Sequence, residues 1–174
     1  ILEGKGNKET ETFEMGIEYI GTEAVFSEAE VISVAVEMLK GLNIRDFRLT
    51  LGHKNFLQGL IDSNVKGAKK KVSILRGDDG MIHQAQNLIS HKLSEQALDE
   101  LKYLGALVRE FGYKEPIHYD LNPFLDSNEY GALIFKIESG FQGRTLIEGG
   151  RRKTRSFETV GFSFDVEGLL GVVN

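Results

Sequence analysis

Glu14 and Glu18 stand four residues apart with Gly16 midway between them, in a stretch that alternates polar and apolar residues. On a β-strand that spacing puts both carboxylates on one face, about 13 Å apart along the backbone. Ionised carboxylates only accept hydrogen bonds, so on a ligand-facing sheet they suit an amino group or an imidazole N–H. The intervening glycine leaves room for a ligand to approach the strand. On a solvated face the same two residues are ordinary surface charges, and the pattern alone leaves both readings open. A second candidate is Gly149-Gly150-Arg151, read as a turn after an apolar strand. Paired glycines permit close backbone approach, and an arginine beside them can clamp an anion. Gly-Gly turns are also common without any ligand. His53, His83, His91 and His118 show no metal-ligand spacing and read as structural or surface residues. There is no nucleophile elbow, Walker loop or dinucleotide fingerprint.

The elements that must position these residues follow from periodicity. Residues 10–20 form a strand with Phe13, Met15, Ile17 and Tyr19 on its apolar face. Ser27-Glu28-Ala29-Glu30 has the form of a capping box opening a helix. Val31, Ala35, Met38 and Leu42 make that helix's stripe, reinforced by Ile32, Val36 and Leu39. A strand over 47–51 and a helix over 54–62 come next. The pattern is broken around 64–80 by lysines and glycines. A helix over 81–89 follows, then a longer one with Ser94 as N-cap and Gly112 as C-cap. After Pro116 the chain turns to strands, over 117–121, 130–138, 144–148 and 157–165, with a last short helix from Val166. A strand, then helices, then a run of strands predicts an α+β fold with a mainly antiparallel sheet.

The chain has 174 residues, 41% hydrophobic and 27% charged, which suits one soluble domain over residues 1–174. At this size roughly 70% of the unfolded surface can be buried, so the core needs no disulfides. There are no cysteines, which excludes thiolate metal sites. A net charge of −5 weighs against nucleic acid as a partner. The runs Lys69-Lys70-Lys71 and Arg151-Arg152-Lys153-Thr154-Arg155 read as solvated surface. No apolar run approaches the ~20 residues needed to span a bilayer, and no signal peptide is visible, so a cytoplasmic location is expected. Ile1-Leu2-Glu3-Gly4 is not an initiator sequence, so the domain is expected to be incomplete at its N-terminus.

Taken in order, these segments resemble the catalytic core of histidyl-tRNA synthetases, a class II aminoacyl-tRNA synthetase family. Phe13-Glu14-Met15-Gly16-Ile17-Glu18-Tyr19-Ile20-Gly21 resembles the strand of motif 2. Ala29-Glu30-Val31-Ile32 resembles the helix start that follows it. Tyr130-Gly131-Ala132-Leu133-Ile134-Phe135 is similar to the family's Y-T-G-(I/V)-V-F strand. Leu146-Ile147-Glu148-Gly149-Gly150-Arg151 is similar to its I-x-x-G-G-R-Y-D turn. Val160-Gly161-Phe162-Ser163-Phe164-Asp165-Val166-Glu167 resembles the start of motif 3. The match covers most of the chain. Motif 1, which builds the family's dimer interface, would lie upstream of Ile1.

The resemblance implies a histidine pocket built from Glu14, Glu18, Tyr130, Gly149, Gly150 and Arg151, with Glu18 and Tyr130 on the two imidazole nitrogens. It also shows where this chain departs. Gly168 stands at the motif-3 arginine, and Leu121-Asn122-Pro123-Phe124-Leu125-Asp126 replaces the arginine-bearing histidine loop. Glu129 replaces the first tyrosine of a Tyr-Tyr pair, Glu14 a glutamine, and Arg152-Lys153 a Tyr-Asp. Adenylate chemistry concentrates negative charge that needs cationic clamps. Their loss implies no aminoacylation, and no catalytic residue, cofactor or metal is expected. Within the superfamily this combination is similar to the regulatory subunit of ATP phosphoribosyltransferase. The expectation is a non-catalytic partner of that enzyme's catalytic subunit, a homodimer within a hetero-oligomer, with histidine as a possible effector. The alternatives are a divergent histidyl-tRNA synthetase core and a pseudo-synthetase module of a larger signalling protein.

Overall fold

The computed structural model describes residues 13–21, 25–89, 91–122, 130–140, 143–153 and 157–173. The first residues of the chain, Pro123 to Glu129 of the replaced histidine loop, and Thr154 and Arg155 of the basic run lie outside them.

Among the described residues, seven strands form one sheet: β1 (Glu14–Ile20), β2 (Phe47–His53), β3 (Arg76–Gly77), β4 (His118–Asp120), β5 (Leu133–Ser139), β6 (Thr145–Lys153) and β7 (Glu158–Asp165). Their spatial order is β1-β7-β6-β5-β2-β4-β3. Every pairing is antiparallel except β2 with β4. The helices are α1 (Val25–Gly41), α2 (Lys54–Asp62), α3 (Ala68–Val72), α4 (Asp79–Gln86), α5 (Lys92–Glu110) and α6 (Val166–Leu170). This is the expected α+β architecture.

Strand alternation sends Leu49, Leu51, Phe135, Ile137, Val160 and Phe162 to one face. There they are buried in one core with Ile32, Ala35 and Leu39 of α1 and Leu98, Leu101 and Leu104 of α5. Each large side chain enclosed this way contributes roughly 1.5–3 kcal/mol of burial free energy. The opposite face carries Glu14 and Glu18 of β1, Ser163 and Asp165 of β7, Glu148 and Arg152 of β6, Lys136 and Glu138 of β5, Arg48 of β2 and His118 of β4. Polar residues dominate it. β1 is an edge strand beside β7, and all seven of its residues are exposed, so Met15, Ile17 and Tyr19 do not reach the core.

Several boundaries differ from the sequence reading. α1 begins at Val25, so Ser27 and Glu28 lie within its first turn and are buried rather than capping it. α5 begins at Lys92, and its cap is His91, whose Nδ1 accepts from the Leu93 N–H at 3.1 Å. Ser94 is instead buried against α2, donating from its hydroxyl to the Phe56 carbonyl at 3.0 Å. His53 caps α2 in the same manner as His91 caps α5. Both histidines are therefore structural. Gly112 does end α5, at a φ of 101° that favours glycine.

The largest difference concerns Gly149-Gly150-Arg151, which is not a turn. β6 runs straight through it to Lys153. Glycine is needed here for closeness. A side chain at 149 would collide with the Phe135 ring and sit 2.5 Å from the Gly161 carbonyl oxygen, and one at 150 would sit 2.5 Å from the Leu133 carbonyl oxygen. Gly16 likewise makes room for β7, because a Cβ there would strike the Phe162 carbonyl oxygen. That space belongs to the sheet and not to a ligand.

Candidate functional site

Because β6 is a strand, Arg151 and Arg152 point to opposite faces. Arg151 faces the helices. Its Nε donates to Glu28 Oε1 at 2.5 Å, and its Nη2 lies 3.7 Å from Glu100 Oε2. Glu28 is 2% exposed and Arg151 17%. Burial lowers the guanidinium pKa, but the hydrogen bond and charge of Glu28 outweigh it, so the net shift is upward. The Glu100 carboxyl is held below its usual range, first by its hydrogen bond to His53, against the opposing effect of burial, and by the charges of His53 and Arg151. Arg151 thus ties α1 and α5 to the underside of the sheet. It lies on the other side from Glu18.

Arg152 faces the open side. Its guanidinium carbon sits 4.6 Å from the centroid of the Tyr130 ring, its Nη2 donates to Tyr130 Oη at 2.9 Å, and its Nη1 is 3.2 Å from Glu18 Oε1. Glu18 and Tyr130, proposed from the sequence as partners, are therefore brought together through a third residue. The basic run is not simply solvated surface, since Arg151 and Arg152 are both engaged and partly buried.

The backbone explains the placement. Tyr130 precedes β5, and its carbonyl accepts from Lys54 Nζ at 3.2 Å. The Gly131 N–H donates to the Arg151 carbonyl at 2.5 Å, and the Lys54 N–H to the Ala132 carbonyl at 2.8 Å. These contacts pin residues 130–132 alongside the end of β6. The Glu18 carboxylate is laid over Gly161 of β7, where a Cβ would come 2.8 Å from its Cδ. Gly161 is thus the residue whose missing side chain lets Glu18 lean toward Arg152.

Glu14 lies on the same face as Glu18 but away from this cluster. With Glu148, Ser163 and Asp165 it lines a cavity of about 190 Å³. Burial raises the Glu148 pKa, opposed by Lys136 and helped by the charges of Glu138 and Glu14. Asp165 caps α6 through the Glu167 and Gly168 N–H groups. Arg144, from the β5–β6 connection, comes within 3.5 Å of Asp165, and its guanidinium lies where a side chain on Gly168 would sit. Three carboxylates thus gather here, with Arg144 at Asp165 and the charge of Lys136 acting on Glu148, a poor setting for the phosphates of ATP.

Further along the face, Arg48, Arg76, Lys136, His118, Asp120 and Glu138 line a cavity of about 270 Å³. Its cations are matched by carboxylates: Arg48 and Lys136 lie 3.1 and 2.9 Å from Glu138, and Arg76 lies 3.8 Å from Asp120. Burial would raise the Glu138 pKa, but those two hydrogen bonds bring it below its usual range.

The structure therefore gathers Glu18 and Tyr130, leaves Glu14 on the same face at another cavity, sets Gly149 and Gly150 inside the sheet, and turns Arg151 to the far side. Arg152 and Arg144 are the residues that the sequence reading left out of the site. Strand parity is the signal for Arg152, since it shares a face with Glu148 and Gly150. Nothing in the sequence indicates the position of Arg144.

Comparison with known proteins gives a consistent result. The family model described as histidyl-tRNA synthetase matches residues 3–76. The ATP phosphoribosyltransferase regulatory subunit of Halothermothrix orenii is 25% identical, over 99% of this chain and 51% of its own length. The chain spans about half the length of the curated relatives it matches. Among solved structures, an ATP phosphoribosyltransferase regulatory subunit/histidyl-tRNA synthetase from Bacillus halodurans superposes with a TM-score of 0.80 at 22% identity, covering 92% of this chain and 53% of that one. An ATP phosphoribosyl transferase complex from Thermotoga maritima contains a chain that matches with a TM-score of 0.64 at 16% identity, covering 88% of this chain and 66% of its own. In sequence and in fold, this chain is similar to histidyl-tRNA synthetases and to the regulatory subunits of ATP phosphoribosyltransferase.

Proposed function

We propose that the chain is the synthetase-like part of a regulatory subunit of ATP phosphoribosyltransferase. It forms no adenylate. It acts by assembling with a separate catalytic subunit, as a homodimer within a hetero-oligomer, and takes histidine as effector at Glu18 and Tyr130. The observation that carries this reading is the convergence of Glu18 and Tyr130, through Arg152, on the open face that elsewhere holds an acidic cavity. An acceptor and a hydroxyl suit an imidazole with its two distinct nitrogens. Glu14, Glu148 and Asp165 would repel a triphosphate, and Gly168 offers no side chain to hold one. Transition-state charge in adenylate formation needs preorganised cations, and losing one such group typically costs ~10²–10³-fold in rate. The names of the relatives and the complex from Thermotoga maritima support the choice of partner.

Glu14, Gly149 and Gly150 support the site at a distance, by shaping the face and closing the sheet. Arg151 acts as a strut for α1 and α5. No helix among the described residues is long and apolar enough to cross a membrane, and the proposed setting is the cytoplasm. The net charge of −5 argues against nucleic acid as a partner.

The test is phosphoribosyl transfer by the catalytic subunit with and without saturating full chain, together with histidine-dependent pyrophosphate exchange by the chain alone. The proposal expects transfer to change on adding the chain, and no exchange. Exchange activity with no effect on the partner would favour the synthetase alternative, which the family match to residues 3–76 keeps as the second reading.

A further inference from the structure

We propose that Arg152 is a tethered competitor for the Glu18–Tyr130 site, so that an incoming ligand must displace a guanidinium that the chain itself supplies. Arg152 makes contacts that a planar cationic ligand would make there: a stack on the Tyr130 ring at 4.6 Å, a hydrogen bond to its hydroxyl at 2.9 Å, and a carboxylate contact at 3.2 Å. Guanidinium and imidazolium are both planar, carry N–H donors at their edges, and lie well on aromatic faces. They therefore compete for the same acceptors. A group held on the adjacent strand acts at an effective concentration in the millimolar range or higher.

Displacement is feasible because the site is at the surface. The Arg152 side chain is 32% exposed and that of Glu18 39%. Ion pairs so placed are weak and are screened by salt. The strand fixes the base of Arg152 while its long stem can swing clear. Only the fraction of molecules with the guanidinium out would accept a free ligand, and the apparent affinity falls by that fraction. Arg152 would thereby set both the strength and the chemical selectivity of the site.

The arm of the test that uses histidine rests on the function proposed above; the arm that uses methylguanidinium does not. Full chain, Arg152→Ala and Arg152→Gln are titrated with methylguanidinium and, separately, with histidine, following the Tyr130 ring resonances by NMR. Arg152→Gln keeps a stem over the ring should the alanine variant be poorly folded. The expected result is methylguanidinium binding in both variants but not in the unmodified chain, and its loss when Glu18→Gln is added. Histidine binding is expected to tighten by roughly two- to fivefold in the variants. Methylguanidinium bound by the variants with histidine bound by none of the proteins supports the competitor and overturns the histidine reading alone. Failure of both variants to bind methylguanidinium, or histidine binding equally tight with and without Arg152, would overturn the inference.

Discussion

Arg151 and Arg152 are neighbours in sequence and opposites in circumstance. The first lies under the sheet in a pair with Glu28, which is 2% exposed; the second lies on top, against a glutamate that is 39% exposed. A buried pair cannot lose one member without leaving an uncompensated charge out of water, whereas a surface pair that loses one member is rescued by solvent. The same residue type in the same strand therefore does different work on the two faces. Below the sheet it fixes structure, and above it a ligand can exchange with it.

The comparison is broken most easily from below. Arg151→Ala should destabilise the chain by roughly 3–5 kcal/mol, read from urea denaturation, because Glu28 is left buried and alone. A loss below about 1 kcal/mol would show that water reaches Glu28 and that the two faces are alike. Next in size is Gly149→Ala, expected to cost about 1–3 kcal/mol because the new methyl meets the Phe135 ring and the Gly161 carbonyl. It would also displace β6 and with it both arginines.

Glu100 below the sheet and Glu148 above it should answer acid in opposite senses, while Glu138, also above, shares the sense of Glu100. Below, Glu100 has a lowered pKa in the fold, so its contribution is present above the ordinary carboxylate range and is lost as pH falls through the lowered value. Above, Glu148 has a raised pKa, so its contribution is present at low pH and is lost as pH rises through the raised value. Denaturation midpoints followed across the carboxylate range should lose part of their acid sensitivity in Glu100→Gln. In Glu148→Gln the midpoint should rise at neutral pH relative to the unmodified chain. Smallest is Arg152→Ala, expected to change stability by less than about 1 kcal/mol. Equal losses from Arg151→Ala and Arg152→Ala would dissolve the distinction.

Much of this was legible in the sequence, for reasons that particular residues make plain. The period-2 runs around Leu49, Phe135 and Phe162 announce strands because one face of each is buried. The stripe from Val31 to Leu39 announces α1 for the equivalent helical reason. The motif carrying Glu18 and the start of β5 carrying Tyr130 were readable because each is local. What joins them was not. Gly149-Gly150 reads as a turn, since glycine usually marks one, and only the crowding by Phe135 and Leu133 shows why glycine is required inside a strand. Once β6 is cut short at those glycines, strand parity cannot assign Arg151 and Arg152 to faces. Glu28 reads as part of a cap because its partner is 123 residues away. His53 and His91 escaped as caps because imidazole seldom plays that part, and Ser94, the ordinary choice, was engaged by α2. Local signals survive in a sequence, and long-range electrostatic partners do not.

Glu18 is proposed to belong to an effector site on the open face. The direct measurement is histidine inhibition of phosphoribosyl transfer by the catalytic subunit assembled with the full chain, compared with the same assembly carrying Glu18→Gln. Histidine is expected to inhibit the first, and inhibition to weaken by at least about tenfold in the second, a loss typical of removing a charged hydrogen-bond acceptor. Equal inhibition of the two assemblies would contradict that assignment.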